Sequence, residues 1–90
     1  MPTVRFTKHL LRYYPALQTA EVEGGTVAAV IAALEERYHG LSAYFVDDQG
    51  RLREHVNIFI GKDLIRDRES LSDPVQANDT IFILQALSGG

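Results

Sequence analysis

The sequence predicts one α+β domain: a mixed sheet of four to five strands with a single main helix packed on one face. Three observations carry this. The segment Thr26 to Tyr38 repeats apolar residues at helical spacing. Short segments near both ends and in the second half either alternate apolar with polar residues or are rich in β-branched and aromatic ones. The order of these pieces is strand, strand, helix, irregular segment, strand, short strand, strand, which is not an alternating βα array. Ninety residues allow a single domain spanning 1–90, and 46% apolar residues supply its core.

Val4 and Phe6 alternate with Arg5 and Thr7, the pattern of a first strand with one buried face. In His9 to Leu17, Pro15 breaks any helix and marks a turn or loop. Gln18 to Glu23 alternates again, with Ala20 and Val22 apolar, and Gly24-Gly25 ends it. Thr26 suits a helix N-cap. Val27, Val30, Ile31, Leu34 and Tyr38 form one stripe, and Gly40 supplies a left-handed stop. A helix from Val27 to His39 would run roughly 20 Å.

Leu41 to His55 reads as irregular, with a turn at "VDDQGR". "HVNIFIG", His55 to Gly61, is a strand, "GKDL" a turn, and Leu64-Ile65 a short edge strand. Leu71 and Val75 plug the core from a short helical turn that Pro74 keeps short. Thr80 to Leu87 is the last strand. The first and last strands are apolar enough to be central neighbours, which is the β-grasp pattern.

Composition excludes several functions. With no cysteine there is no disulfide framework, no thiolate metal site and no cysteine nucleophile. The formal charge is −3, and the nine basic residues are scattered or interleaved with acids, so no nucleic-acid footprint exists. No apolar run reaches the ~18 residues of a membrane span, and "MPTVRFTKHL" lacks a signal-peptide core, so cytoplasmic residence is expected. His9, His39 and His55 show no metal-ligand spacing, and Asp47-Asp48 lacks the oxygen alternation of a calcium loop, so no metal is expected. Gly24-Gly25 belongs to no phosphate-loop motif, and no nucleophile elbow is present. No catalytic residue and no bound cofactor are expected.

The remaining feature is "ILQALSGG", a strand running into Gly89-Gly90. Lacking a Cβ, two glycines fit a slot too narrow for other residues. They leave a carboxylate open to a partner that activates it. Leu87, Ser88 and Gly89 read as a flexible tail that presents Gly90.

In "TVRF", "TVAAVIAALEERY" closed by Gly40, "VNIFIGKDLI" and "NDTIFILQALSGG", the chain resembles the ThiS/MoaD-type sulfur carriers, prokaryotic relatives of ubiquitin. The resemblance covers nearly the whole chain, although "LLRYYPAL", Leu10 to Leu17, carries none of these marks. "LREHVNIFIGKDLIR" and "ILQALSGG" are most similar to the carrier that feeds sulfur to a cysteine synthase.

The resemblance implies a ubiquitin-like fold and a protein co-substrate rather than an enzyme. It implies that a ubiquitin-activating-like adenylyltransferase uses ATP to adenylate Gly90. A sulfurtransferase then replaces AMP to leave a thiocarboxylate. The acceptor would be a synthase of the cysteine, thiamin, molybdopterin or thiolated-tRNA type, a PLP-dependent cysteine synthase among them. Two other readings stay open: a modifier conjugated to lysines, and a non-catalytic β-grasp interaction subunit. For docking, strand alternation turns Ile81 and Ile83 toward the helix. It places Phe59, Phe82 and Leu84 on the opposite face as an exposed apolar patch.

Overall fold

The computed structural model describes residues 1–6 and 19–85. The expected loop at His9 to Leu17 and the tail at 87–90 lie outside the described residues. The strands are β1 (Thr3–Phe6), β2 (Thr19–Glu21), β3 (Val56–Ile60), β4 (Asp63–Leu64) and β5 (Thr80–Gln85), and the helix α1 is Val27–Arg37. The five strands form one sheet in the order β2-β1-β5-β3-β4. β1 and β5 are parallel, with Val4 opposite Ile81 and Phe6 opposite Ile83, while every other pairing is antiparallel. The first and last strands are therefore neighbours at the centre, as their apolar content predicts.

One sheet face is buried against α1. Val4, Ile58, Ile81 and Ile83 meet Val27, Val30, Ile31 and Leu34 of the helix, all buried. Tyr38 packs on this core while partly exposed. The predicted stripe is thus the stripe that is buried, because a helix covers a sheet only along the side chains of one face.

Four local expectations need correction. The helix stops at Arg37 rather than His39, with Tyr38 as C-cap, because the Glu35 carboxylate accepts the amides of Gly40 (2.7 Å) and Ser42 (2.9 Å) and folds the chain back. Gly40 does take the left-handed conformation, φ 91°. The segment after it is not wholly irregular: Leu41–Tyr44 is a 3-10 turn, and Leu41 and Phe45 are fully buried. Phe45 stacks on Phe6, ring centroids 6.1 Å apart. The edge strand is Asp63–Leu64, one residue earlier than expected, and Ile65 enters the core. Leu71 and Val75 do plug the core, but from irregular chain rather than a helical turn. Leu71 adopts φ 55°, and the amide of Val75 bonds the carbonyl of Gly25.

Candidate functional site

The face of the sheet turned away from α1 is built by strand alternation. Successive side chains of a strand point to opposite sides, so burying Ile58, Ile81 and Ile83 forces Phe59, Phe82 and Leu84 outward. Phe59 lies opposite Phe82, and Asn57 lies opposite Leu84. Directly opposed residues on one sheet face are neighbours, with Cβ atoms about 5 Å apart, so the two phenylalanines stand side by side. Phe59 and Phe82 are partly exposed, and Leu84 is 39% exposed. The three patch residues named from the sequence are therefore brought together on one face.

Leu64 also belongs there and escaped the sequence reading. It lies opposite Phe59 and is 51% exposed, so Phe82, Phe59 and Leu64 form one apolar row across three strands. The signal that would have found it is the length of the β3–β4 connection. Ile60 pairs with Asp63, leaving Gly61 and Lys62 as a two-residue hairpin loop, and Gly61 takes φ 62°. A two-residue loop fixes register, and register fixes the face.

The patch is bordered by guanidinium groups. Arg5 on β1 lies opposite Phe82. Arg68 donates to Asn57 Oδ1 at 3.3 Å and to the Arg53 carbonyl at 2.7 Å, and Arg53 Nε in turn donates to the Ala43 carbonyl at 2.9 Å. Asp47 forms the turn expected of "VDDQGR": its carboxylate accepts the amides of Arg51 and Gln49 and pairs with Arg51 Nε. The Arg51 amide foremost holds its carboxyl below the usual range.

β5 is paired on both sides, with β1 from Thr80 to Ile83 and with β3 from Ile81 to Gln85. Gly90 and the tail residues Leu87, Ser88 and Gly89 follow this central strand in the sequence and lie outside the described residues. Among the described residues, no helix is long and apolar enough to cross a membrane.

The ThiS family profile matches residues 7–90. The chain belongs to the ThiS family. Among similar proteins, the sulfur carrier protein CysO of Mycobacterium tuberculosis is 32% identical over 75 residues, 81% of each chain. A chain of the crystal structure of the Amycolatopsis orientalis BexX/CysO complex superposes with TM-score 0.87 at 28% identity, covering 100% of both chains. The solution structure of small archaeal modifier protein 1 from Methanosarcina acetivorans gives TM-score 0.79 at 25% identity, covering 99% of this chain and 95% of that one. The ubiquitin-like β-grasp fold predicted from the sequence is the fold of this ThiS-family chain.

Proposed function

We propose that this protein is a sulfur carrier whose reacting atom is the carboxyl carbon of Gly90. The observation that carries the reading is the central, doubly paired β5 leading into Gly89-Gly90 inside the stretch that the ThiS family profile matches. The relatives named as sulfur carrier proteins support it. The protein acts as a co-substrate in the cytoplasm, where ATP is at hand.

The chemistry requires help from other enzymes because a carboxylate has no leaving group. An adenylyltransferase joins the Gly90 carboxylate to the α-phosphate of ATP, releasing pyrophosphate and forming an acyl adenylate. A sulfide equivalent delivered by a sulfurtransferase attacks the carbonyl, the C–O bond to AMP breaks, and a thiocarboxylate remains. A sulfur-accepting synthase, of the cysteine-forming type by resemblance to CysO, then consumes the sulfur.

The chain contributes reach and anchorage. Five residues after Gln85 span at most about 18 Å, enough to enter a narrow catalytic channel while the domain stays outside. Ordering residues 87–90 costs roughly 4–8 kcal/mol. Burying Phe59, Phe82, Leu84 and Leu64 in a docking interface, at up to ~1.5–3 kcal/mol for each large apolar side chain, is of the size needed to offset that.

The deciding measurement is the intact mass of the protein purified from its source organism, followed by mass mapping of the C-terminal peptide. Sulfur in place of one oxygen, confined to Gly90, is expected. A carboxylate alone in cells making sulfur-containing products, or Gly90 recovered in isopeptide linkage to lysine, would refute the carrier role.

A further inference from the structure

The end of β5 is held differently from its middle. Among the described residues β1 pairs with β5 only as far as Ile83, so Leu84 and Gln85 are paired only with Asn57 and Val56, the first residues of β3. The last step of the sheet before residues 86–90 is therefore only as firm as the start of β3. Arg68 grips that start at two points. One guanidinium nitrogen donates to Asn57 Oδ1 at 3.3 Å and the other to the Arg53 carbonyl at 2.7 Å, and this carbonyl also accepts the amide of Val56 at 3.0 Å. The Arg68 carbonyl accepts the amide of Leu52 at 2.8 Å, so backbone and side chain of one residue clasp the same segment. Arg53 is fixed in turn: its amide donates to the Phe45 carbonyl and its Nε to the Ala43 carbonyl, each at 2.9 Å. Phe45 and Leu52 are buried, which roots the clasp in the core. Arg68 shares its cleft with Asp47, Glu54 and Glu69, so its charge is offset within the chain, and the geometry uses its planar fork.

Resting on the sulfur-carrier reading, we propose that Arg68 is a positioning residue for the reacting end. By holding Asn57 and the carbonyl that holds Val56, it fixes the point at which the chain leaves the sheet, and so where the Gly90 carboxylate can reach. The physical reason is tether length. If the pairing of Leu84 and Gln85 opens, the segment beyond the sheet grows from five residues after Gln85 to seven after Ile83. Each residue so released must be ordered again in the channel of the activating enzyme, and ordering one residue is worth about tenfold in an equilibrium. A guanidinium reaches two acceptors at once in a fixed fork, whereas a lysine ammonium on its flexible stem holds neither as firmly.

The test uses the full chain and the purified adenylating enzyme of the source organism. It reads hydrogen exchange at the Leu84 amide together with carrier-dependent ATP–pyrophosphate exchange. Arg68→Ala should speed hydrogen exchange at Leu84 about tenfold or more and leave that at Ile81 unchanged, because only the end of the strand opens. Its melting temperature should stay close to the wild type, since the Arg53 carbonyl keeps the Val56 amide. In pyrophosphate exchange kcat should fall about tenfold while KM for the carrier stays within about twofold, because productive placement is lost and not docking. Asn57→Ala removes one acceptor without touching the Arg53 carbonyl and carries the same test should Arg68→Ala fail to fold. It should show the same two effects, and the double variant should be no worse than the stronger single one. Asn57→Asp keeps an acceptor and should keep the protection of Leu84. Wild-type protection of Leu84 in Arg68→Ala, or additive losses in the double variant, would overturn the clasp. An opened Leu84 with unaltered kcat would overturn the positioning role. If the wild type supports no pyrophosphate exchange, the carrier reading falls and the positioning role with it, while hydrogen exchange still decides whether Arg68 holds the end of β5.

Discussion

Gly24 and Gly25 adjoin in sequence but meet different surroundings. A Cβ on Gly24 would lie 2.7 Å from the backbone nitrogen of Val30 and 2.8 Å from its Cγ2, whereas one on Gly25 would meet nothing within 4 Å. Val30 is fully buried in α1, so neither of its atoms can yield cheaply. Gly24→Ala should therefore destabilise by about 1–3 kcal/mol through overpacking, and Gly25→Ala should stay within about 0.5 kcal/mol of the wild type. Thermal melts of the two variants check this; equal melting temperatures would show that the helix does not press on Gly24. The sequence places this pair between the second strand and the helix, although β2 itself stops at Glu21. It does not show which glycine is indispensable, because that depends on how close α1 comes to the chain. The facing of Phe82 and Ile83 was legible for the opposite reason. Period-two alternation is local, and Asn57 and Gly61 mark the outer side of β3.

At the scale of elements, α1 is tied at its start by a hydroxyl and distant carbonyls, and just past its end by the Glu35 carboxylate. The first amides of a helix have no partner within it. Here Thr26 Oγ1 accepts the amide of Ala29, and the carbonyls of Asp73 and Leu71 accept those of Val27 and Ala28. The loop that brings these carbonyls is shaped by Asp67, which accepts the amides of Ser70, Ser72 and Glu69 and the hydroxyl of Ser72. Asp73 accepts the amides of Arg66 and Asp67. The sequence reading places a short helical turn here; the Leu71 amide does bond the Asp67 carbonyl, but the Asp67 and Asp73 carboxylates take the neighbouring amides, a choice that apolar spacing does not record. The left-handed Leu71 costs about 1–3 kcal/mol and is kept by burial of its side chain.

These ties predict acid sensitivity. Bonds foremost from the Gly40 amide, then Ser42, lower the Glu35 carboxyl from 4.5 to about 2. The Ser70 amide foremost, then the Ser72 hydroxyl, lowers Asp67 from 3.8 to about 2. A carboxyl whose folded value lies below its unfolded one stabilises the fold above the unfolded value and loses that contribution as pH falls through the folded one. The melting temperature should thus decline from about pH 4.5 toward pH 2, and Glu35→Gln with Asp67→Asn should flatten that decline while lowering stability at neutral pH. A wild-type melting temperature that is level over this range would contradict the assignment.

For the whole molecule, one five-stranded sheet has a face buried under α1 and a face left open, and β5 contributes to both. Its inward residues Ile81 and Ile83 are fully or nearly fully buried under α1, while its outward residues Phe82 and Leu84 remain partly exposed. The parallel pairing of β1 with β5 joins the two ends of the sequence at the middle of the sheet. The strand that leads to Gly90 is therefore anchored by the entire core, and docking on the outer face need not disturb that anchor. Neighbouring residues of one strand should then fail in different ways. Ile83→Ala should cost about 2–5 kcal/mol, because it opens a cavity where the sheet meets the helix. Phe82→Asp should cost no more than about 1 kcal/mol of strand preference, yet it should abolish binding to the activating enzyme by setting a carboxylate on the apolar row beside Phe59. Denaturant unfolding and calorimetric binding of both variants measure the two effects separately. If Phe82→Asp unfolds the domain as Ile83→Ala does, Phe82 belongs to the core and the sheet has no free face to offer; if it stays folded and binds undiminished, docking uses another surface.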